Sequence, residues 1–142
     1  MQDDFMQCLV LNTRMAARAV TRRADRKLRP FGVTAAQFNI LGALLLQSGR
    51  SVTEMANSLA MDRTTLSRNL DVLERKGLVK ALAPGEGLHA NTRLSMLSDE
   101  GRKLVDDILP EWRKGQAELR ATLRDPDFAD VLAALRQMAK LT

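Results

Sequence analysis

Residues 63–76 carry the side chains best suited to chemistry in this sequence. Leu66, Leu70 and Leu73 fall on one side of a helix that turns about 100° per residue. The opposite side carries small hydroxyl groups around one arginine. Short hydroxyls allow close approach, and an arginine fork can pair with O6 and N7 of guanine. This pattern is typical of a helix that reads the major groove of DNA, with candidate contacts at Arg63, Thr64, Thr65, Ser67, Arg68, Asn69 and Arg75.

The same face could also be an ordinary solvated helix surface, so the flanking sequence decides between the two interpretations. Residues 51–54 (Ser-Val-Thr-Glu) form a capping box that opens a short helix, and Asp62 is a candidate N-cap for the next one. After Gly77 the apolar period changes from 3.6 to about 2, which predicts a hairpin of strands 78–82 and 92–97. A helix-turn-helix followed by a β-wing favours DNA recognition.

The predicted wing has two candidate DNA contacts, His89 in its loop and Arg93 at the start of its second strand. A wing that enters the minor groove usually carries Arg or Lys at its tip, whereas residues 84–87 carry none. A solvent-exposed histidine is the alternative for His89. His89 has no second histidine to complete a zinc site and Cys8 is remote, so no metal is expected.

Long amphipathic segments flank this region. Residues 4–29 carry an apolar stripe from Met6 to Leu28, and residues 98–142 carry a second one. Pro110 should kink the helix that Ser98 caps, and Asp125 with Pro126 is expected to start the last helix. These stripes are too long for one small core to cover, so we expect an obligate homodimer.

Composition limits the remaining classes of protein. A chain of 142 residues with 45% hydrophobic and 27% charged residues is expected to be one soluble globular domain. The longest apolar runs are far shorter than the ~20 residues of a membrane span. Residues 1–5 lack the basic region of a secretory signal, so a cytoplasmic protein is expected. The net charge of +5 is concentrated in residues 1–97, which suits a nucleic-acid partner.

No enzymatic or cofactor-binding motif is present. The sequence lacks GxSxG, HExxH, a P-loop and the Rossmann glycine fingerprint, and its single histidine has no triad partner. We therefore expect neither an enzyme nor a bound cofactor.

Three further features allow two interpretations each. Arg14, Arg18, Arg22 and Arg26 recur every four residues, as a solvated face or as a site for a carboxylate or phosphate. Trp112 is either a packing residue, in the core or at a dimer interface, or part of a ligand-pocket wall. Cys8 is an idle thiol or a redox sensor, although the nearest basic residue, Arg14, lies more than one turn away.

A family resemblance is carried by Ser51–Val79, by Leu28–Phe38 before it and by Leu97–Gly101 after it. The chain resembles the multiple antibiotic resistance regulator (MarR) family, and the resemblance covers essentially its whole length. The resemblance implies a winged-helix homodimer whose first and last helices interlock and whose recognition helices read a palindromic operator. It also implies a cleft where a small aromatic or anionic ligand loosens DNA binding. Candidate contacts for that ligand are Met15, Arg18, Phe38 and Trp112.

Two departures from the family pattern stand out. Residues 85–93 are longer than the usual wing and lack its Asp-x-Arg signature. The hydroperoxide-sensing branch surrounds its thiol with tyrosines, whereas this chain contains no tyrosine.

The sequence thus predicts a mainly α (α+β) single domain, residues 1–142. Within it, a winged helix-turn-helix lobe with a two-stranded wing spans 51–97, and dimerisation helices span 4–29 and 98–142. The predicted function is a ligand-responsive transcriptional repressor. The alternatives are a redox-sensing regulator switched by Cys8 and a constitutive architectural DNA-binding protein.

Overall fold

Seven α-helices, one short 3-10 helix (Arg29–Phe31) and one small sheet make up the described part of the chain, residues 1–82, 93–123 and 127–141, in a computed structural model. The strands are β1 (Arg50–Ser51), β2 (Val79–Ala81) and β3 (Leu94–Leu97), antiparallel in the order β1-β3-β2. The helices are α1 (Gln2–Met6), α2 (Leu9–Leu28), α3 (Ala35–Leu46), α4 (Val52–Leu59), α5 (Arg63–Arg75), α6 (Asp99–Thr122) and α7 (Phe128–Ala139). The predicted mainly α winged helix-turn-helix fold is confirmed.

The hydrophobic core lies around α3, which contacts α2, α5, α6 and β3. Ile40 and Leu41 of α3 are fully buried, as is Ile108 of α6. Burying a large aliphatic side chain contributes about 1.5–3 kcal/mol, so this cluster holds the helix-turn-helix onto α6. Further core members that are 0% exposed are Leu66, Leu70 and Leu73 of α5 and Met55 of α4.

The starts of α3, α5 and α6 follow local polar caps that the sequence predicts correctly. Thr34 accepts from the backbone N–H of Gln37 and the Gln37 side chain accepts from that of Thr34, which completes a capping box. Ser98 caps α6 through the Gly101 N–H at 3.0 Å. The carboxylate of Asp25 in α2 also accepts from the Ala35 N–H at 2.7 Å, so α2 and α3 are joined at this point.

Two predicted helix boundaries are wrong. Residues 4–29 are not one helix, because Cys8 adopts an extended backbone (φ −68°, ψ 116°) and caps a new helix, α2. The Asn12 side chain supports this break by donating to the Cys8 carbonyl at 2.8 Å. The last helix begins at Phe128 rather than at Asp125 and Pro126, which lie outside the described residues. Asp127 is its cap and accepts from the Ala129 N–H at 3.1 Å.

The start of α4 also differs from the prediction. Ser51 caps α4, but its backbone belongs to β1, which pairs with Leu94 of β3. The Glu54 carboxylate therefore accepts from the Ser51 hydroxyl at 3.2 Å and not from the Ser51 N–H, so the capping box is only half formed. Strand β1 itself was not expected from the sequence.

The end helices leave much apolar surface uncovered in a single chain. Phe5 and Val10 are each 66% exposed, and α7 contains no buried residue. In α2 only Leu28, at the C-terminal end, is buried. Within the described ranges, none of the helices is apolar over enough of its length to cross a lipid bilayer.

Candidate nucleic-acid interface

The turn between α4 and α5 sets the angle of the candidate recognition helix. Ala60 ends α4 in the left-handed region with φ 52°, and the Met61 N–H donates to the Ala56 carbonyl at 2.9 Å. A left-handed alanine costs about 1–2 kcal/mol, which packing on both sides must offset. The turn is thereby tight enough for α5 to begin three residues later.

Asp62 caps the start of α5 by accepting two hydrogen bonds from Thr65. Its carboxylate accepts from the backbone N–H and from the hydroxyl of Thr65, each at 2.7 Å. The backbone bond and then the hydroxyl bond lower the pKa of Asp62, with a smaller contribution from the charge of Arg68. The hydroxyl of Thr65 is thus already engaged at the helix start.

The two sides of α5 differ as the sequence predicts. Leu66, Leu70 and Leu73 are 0% exposed and seat the helix on the core. The opposite side leaves Thr64, Arg68 and Arg75 exposed and Ser67 half-buried, whereas Arg63 is exposed in the first turn, nearer the buried side. The hydrophobic seat therefore fixes which polar side chains α5 presents outward.

A broad open groove runs along that outward side, and we call it the α5 groove. Five of the predicted DNA-binding residues meet there. Within the described part of the chain, Arg63 and Arg68 form no side-chain hydrogen bond or ion pair. Their charges are therefore available to a partner. The groove is lined by Val52 and Thr53 of α4, by Arg63, Thr64, Ser67, Arg68 and Asp71 of α5, and by Arg93.

Arg93, predicted to contact DNA from the wing, is held by two carboxylates of α5. Its Nη1 donates to Asp71 Oδ1 at 2.8 Å, and its Nη2 lies 3.0 Å from Glu74 Oε1. The second contact is ionic without hydrogen-bond alignment, since both atoms lack a hydrogen-bond partner among the described residues. Arg93 thus connects the start of β3 to the outer side of α5.

The other residues predicted to contact DNA are already hydrogen-bonded, do not line the groove or fall outside the described residues. The Asn69 amide donates to the Thr65 carbonyl at 3.0 Å and accepts from the buried Gln37 side chain at 3.4 Å. Asn69 therefore faces α3 along the flank of α5. Arg75 is exposed near the C-terminal end of α5 but does not line the groove. His89 lies outside the described residues.

The predicted ligand contacts separate into two groups. The rings of Phe38 and Trp112 are 4.7 Å apart at 56° and line one apolar groove between α3 and α6. Met15 and Arg18 are exposed on α2, and none of the described clefts combines either of them with Phe38 or Trp112. A single chain therefore does not assemble all four residues into one site.

A second cleft, between α2 and α6, also contains Trp112. Arg23 and Lys27 of α2 lie at its edge, and both contact the carboxylate of Glu118, with Lys27 Nζ at 3.0 Å. The hydrogen bond from Lys27 contributes most to the lowered pKa of Glu118. This cluster was not predicted from the sequence, although the spacing of Arg23 and Lys27 by four residues places both on one helix face.

Comparison with known proteins identifies the same architecture. The sequence profile of the MarR family matches residues 31–87. The crystal structure of the M. tuberculosis transcriptional regulator MosR in complex with DNA is 34% identical, with a TM-score of 0.82 over 94% of this chain and 95% of that one. The S. aureus MepR–DNA complex is 26% identical, with a TM-score of 0.78 over 92% and 96% of the two chains. The uncharacterized transcriptional regulator YwoH of Bacillus subtilis is 27% identical over 84% of this chain and 85% of its own length.

Proposed function

Because this chain belongs to the MarR family of DNA-binding transcriptional regulators, we propose that it is a repressor that binds a palindromic operator as a homodimer. A small effector would release it from DNA. The family is one of regulators and not of enzymes. The observation that carries the proposal is the α5 groove, where Arg63 and Arg68 extend from a helix whose opposite side is fully buried.

Within this groove, we assign different tasks to the two arginines. Arg68 lies opposite the buried leucines, where an arginine fork can reach guanine O6 and N7 in the major groove. Thr64 and Ser67 flank it with short hydroxyls that permit close approach. Arg63, in the first turn of α5, is placed to hold a backbone phosphate, where the helix dipole also favours negative charge. The DNA complexes of the related MosR and MepR support this use of the fold.

The homodimer is proposed from the uncovered ends of the chain. Helices α1, α2, α6 and α7 would form the dimerisation region, with the winged helix-turn-helix lobe between them. The exposed apolar side chains of α1 and the N-terminal part of α2 need a cover that the described residues of one chain do not supply. Two copies related by a two-fold axis would present two α5 helices to a palindrome.

The effector would bind beside Trp112, where the α2–α6 cleft joins apolar walls to two cations. An aromatic or aliphatic body fits the apolar walls, and an anionic group on the ligand would compete with Glu118 for Arg23 and Lys27. Movement of α2 against α6 would then alter the spacing of the two α5 helices. Trp112 is the sole tryptophan of the chain, so its fluorescence reports directly on this cleft.

The experiment that tests the proposal is a footprint on the DNA that flanks the gene for this protein, repeated with a panel of aromatic acids. We expect one protected palindrome and weaker protection in the presence of an active acid, accompanied by a change in Trp112 fluorescence. A regulator should bind its site at least ~10³-fold more tightly than random DNA. Uniform protection with no preferred site would indicate an architectural DNA-binding protein instead.

A further inference from the structure

We propose that Arg93 is a positioning residue that acts on DNA binding through α5, by neutralising Asp71 and fixing the start of β3 to the recognition helix. The inference rests on the proposed operator binding and concerns how this chain prepares the α5 groove for a polyanion. It replaces the direct wing contact expected for Arg93 from the sequence.

The geometry places one cation between two carboxylates on a single helix face. Asp71 and Glu74 are three residues apart, so both project from the same side of α5. The Arg93 guanidinium reaches both, at 2.8 Å and 3.0 Å, and its side chain is only 28% exposed. Arg93 immediately precedes β3, whose Ser95 and Leu97 pair with Ala81 and Val79 of β2. The ion pairs therefore fix the start of β3 to the DNA-facing helix.

The charge of Asp71 makes this arrangement necessary. Asp71 lines the α5 groove together with Arg63 and Arg68, and its side chain is 57% exposed. An unpaired carboxylate there would repel phosphates and offset part of the attraction of the two free arginines. Arg93 neutralises that charge at hydrogen-bond distance, so the groove keeps the full attraction of Arg63 and Arg68 for phosphates.

A direct phosphate contact is the competing role for Arg93. Its guanidinium already contacts two carboxylates, whereas Arg63 and Arg68 have no such partner within the described residues. The positioning role and a direct phosphate contact predict different effects of Asp71→Asn on DNA affinity in the presence and absence of Arg93. If Arg93 neutralises Asp71, removal of the carboxylate should matter chiefly when Arg93 is absent.

The experiment is a double-mutant cycle on operator affinity, measured by fluorescence anisotropy at one fixed salt concentration. It compares the wild type with Arg93→Gln, Asp71→Asn and the double variant, which has the same net charge as the wild type. We expect Arg93→Gln to weaken binding about tenfold when both half-sites are occupied, since one carboxylate per half-site is then uncompensated. We expect the double variant to return to within about threefold of the wild type.

Controls separate this effect from misfolding and from loss of bulk charge. Thermal unfolding of each variant identifies a temperature at which all of them are folded. Arg29→Gln removes one exposed cation from the turn between α2 and α3, outside the groove. Arg29→Gln should bind nearly as the wild type does.

Two results would overturn the inference. One is Asp71→Asn strengthening binding equally with and without Arg93, which would make Arg93 a direct phosphate contact. The other is Arg93→Gln binding as tightly as the wild type. Failure of the wild type to prefer any operator over random DNA would instead refute the proposed function.

Discussion

The side chain of Cys8 has a structural task at the start of α2. Its Sγ accepts the Leu11 N–H at 3.5 Å and so satisfies one of the free donors at the helix start. Sulfur is a weak acceptor, and a serine hydroxyl at an N-cap is a better one. A side chain that accepts this hydrogen bond therefore stabilises the start of α2, whether it carries a thiol or a hydroxyl.

We expect Cys8→Ser to melt at the same temperature as the wild type or higher, because the cap is kept or strengthened. Operator affinity should stay within about threefold, the span of a neutral surface substitution. Cys8→Ala is the matched control, since it removes the cap and should melt lower. Loss of a strong wild-type response to peroxide in Cys8→Ser would support the redox-sensing alternative.

Gly101 permits a close backbone contact at the start of α6. A Cβ atom at this position would lie 2.0 Å from the Leu78 carbonyl oxygen, whose partner is the Ser98 N–H at 3.1 Å. No rotamer can relieve a clash with backbone, so α6 would have to shift away from the end of the helix-turn-helix. Gly101 thus ties the wing region to the long helix of the proposed dimerisation region.

We therefore expect Gly101→Ala to lower the free energy of unfolding by about 1–3 kcal/mol or more, as overpacking does. Urea unfolding followed by circular dichroism is the measurement. Gly42→Ala in α3 is the control, since nothing lies within 4 Å of its added Cβ. That variant should gain about 0.5–1 kcal/mol from the higher helix propensity of alanine. Equal stability of Gly101→Ala and the wild type would contradict the described contact.

At the scale of elements, the start of α5 depends on the charged form of Asp62. Because hydrogen bonds from Thr65 lower the pKa of Asp62 in the folded chain, the charged cap stabilises the fold above the ordinary carboxyl pKa. That stabilisation is lost as the pH falls through the ordinary range and then through the lowered pKa of the folded state.

We expect the stability advantage of the wild type over Asp62→Asn to be largest near pH 7 and to shrink steadily below about pH 4. Urea titrations between pH 7 and pH 3 measure it. Thr65→Val removes the hydrogen bond from the hydroxyl but keeps the one from the backbone N–H. Its loss of unfolding free energy at pH 7 should therefore be smaller than that of Asp62→Asn. A constant difference at every pH would contradict the ionised cap.

Elements with local signals could be predicted, and those that depend on distant partners could not. Thr34, Asp62 and Ser98 are adjacent in sequence to the helices they cap, and each prediction is confirmed. Strand β1 has two residues and exists only because β3 pairs with it, so its own sequence carries no strand pattern. The same limit applies to Arg93: its residue type suggested a DNA contact, but Asp71 is 22 positions away along the chain.

At the scale of the whole molecule, the uncovered apolar surface predicts a stable dimer. Obligate interfaces bury on the order of 2,000 Å² or more, so the dimer should persist in dilute solution. Sedimentation at micromolar concentration should therefore give about twice the 15.8 kDa chain mass. Val10→Glu should shift the protein toward monomer and weaken operator binding, since it places a charge in the proposed interface. A monomeric wild type that binds its operator tightly would refute the dimer.

The central claim is that α5 reads bases through Arg68 while Arg63 holds the backbone. The most direct test measures Arg68→Ala and Arg63→Ala on operator and on random DNA at three salt concentrations. Arg68→Ala should cost about 1–3 kcal/mol per half-site on the operator and much less on random DNA. Arg63→Ala should weaken both DNAs about equally and lower the salt slope by about 1 per contact. Equal weakening of both DNAs by Arg68→Ala would contradict the claim.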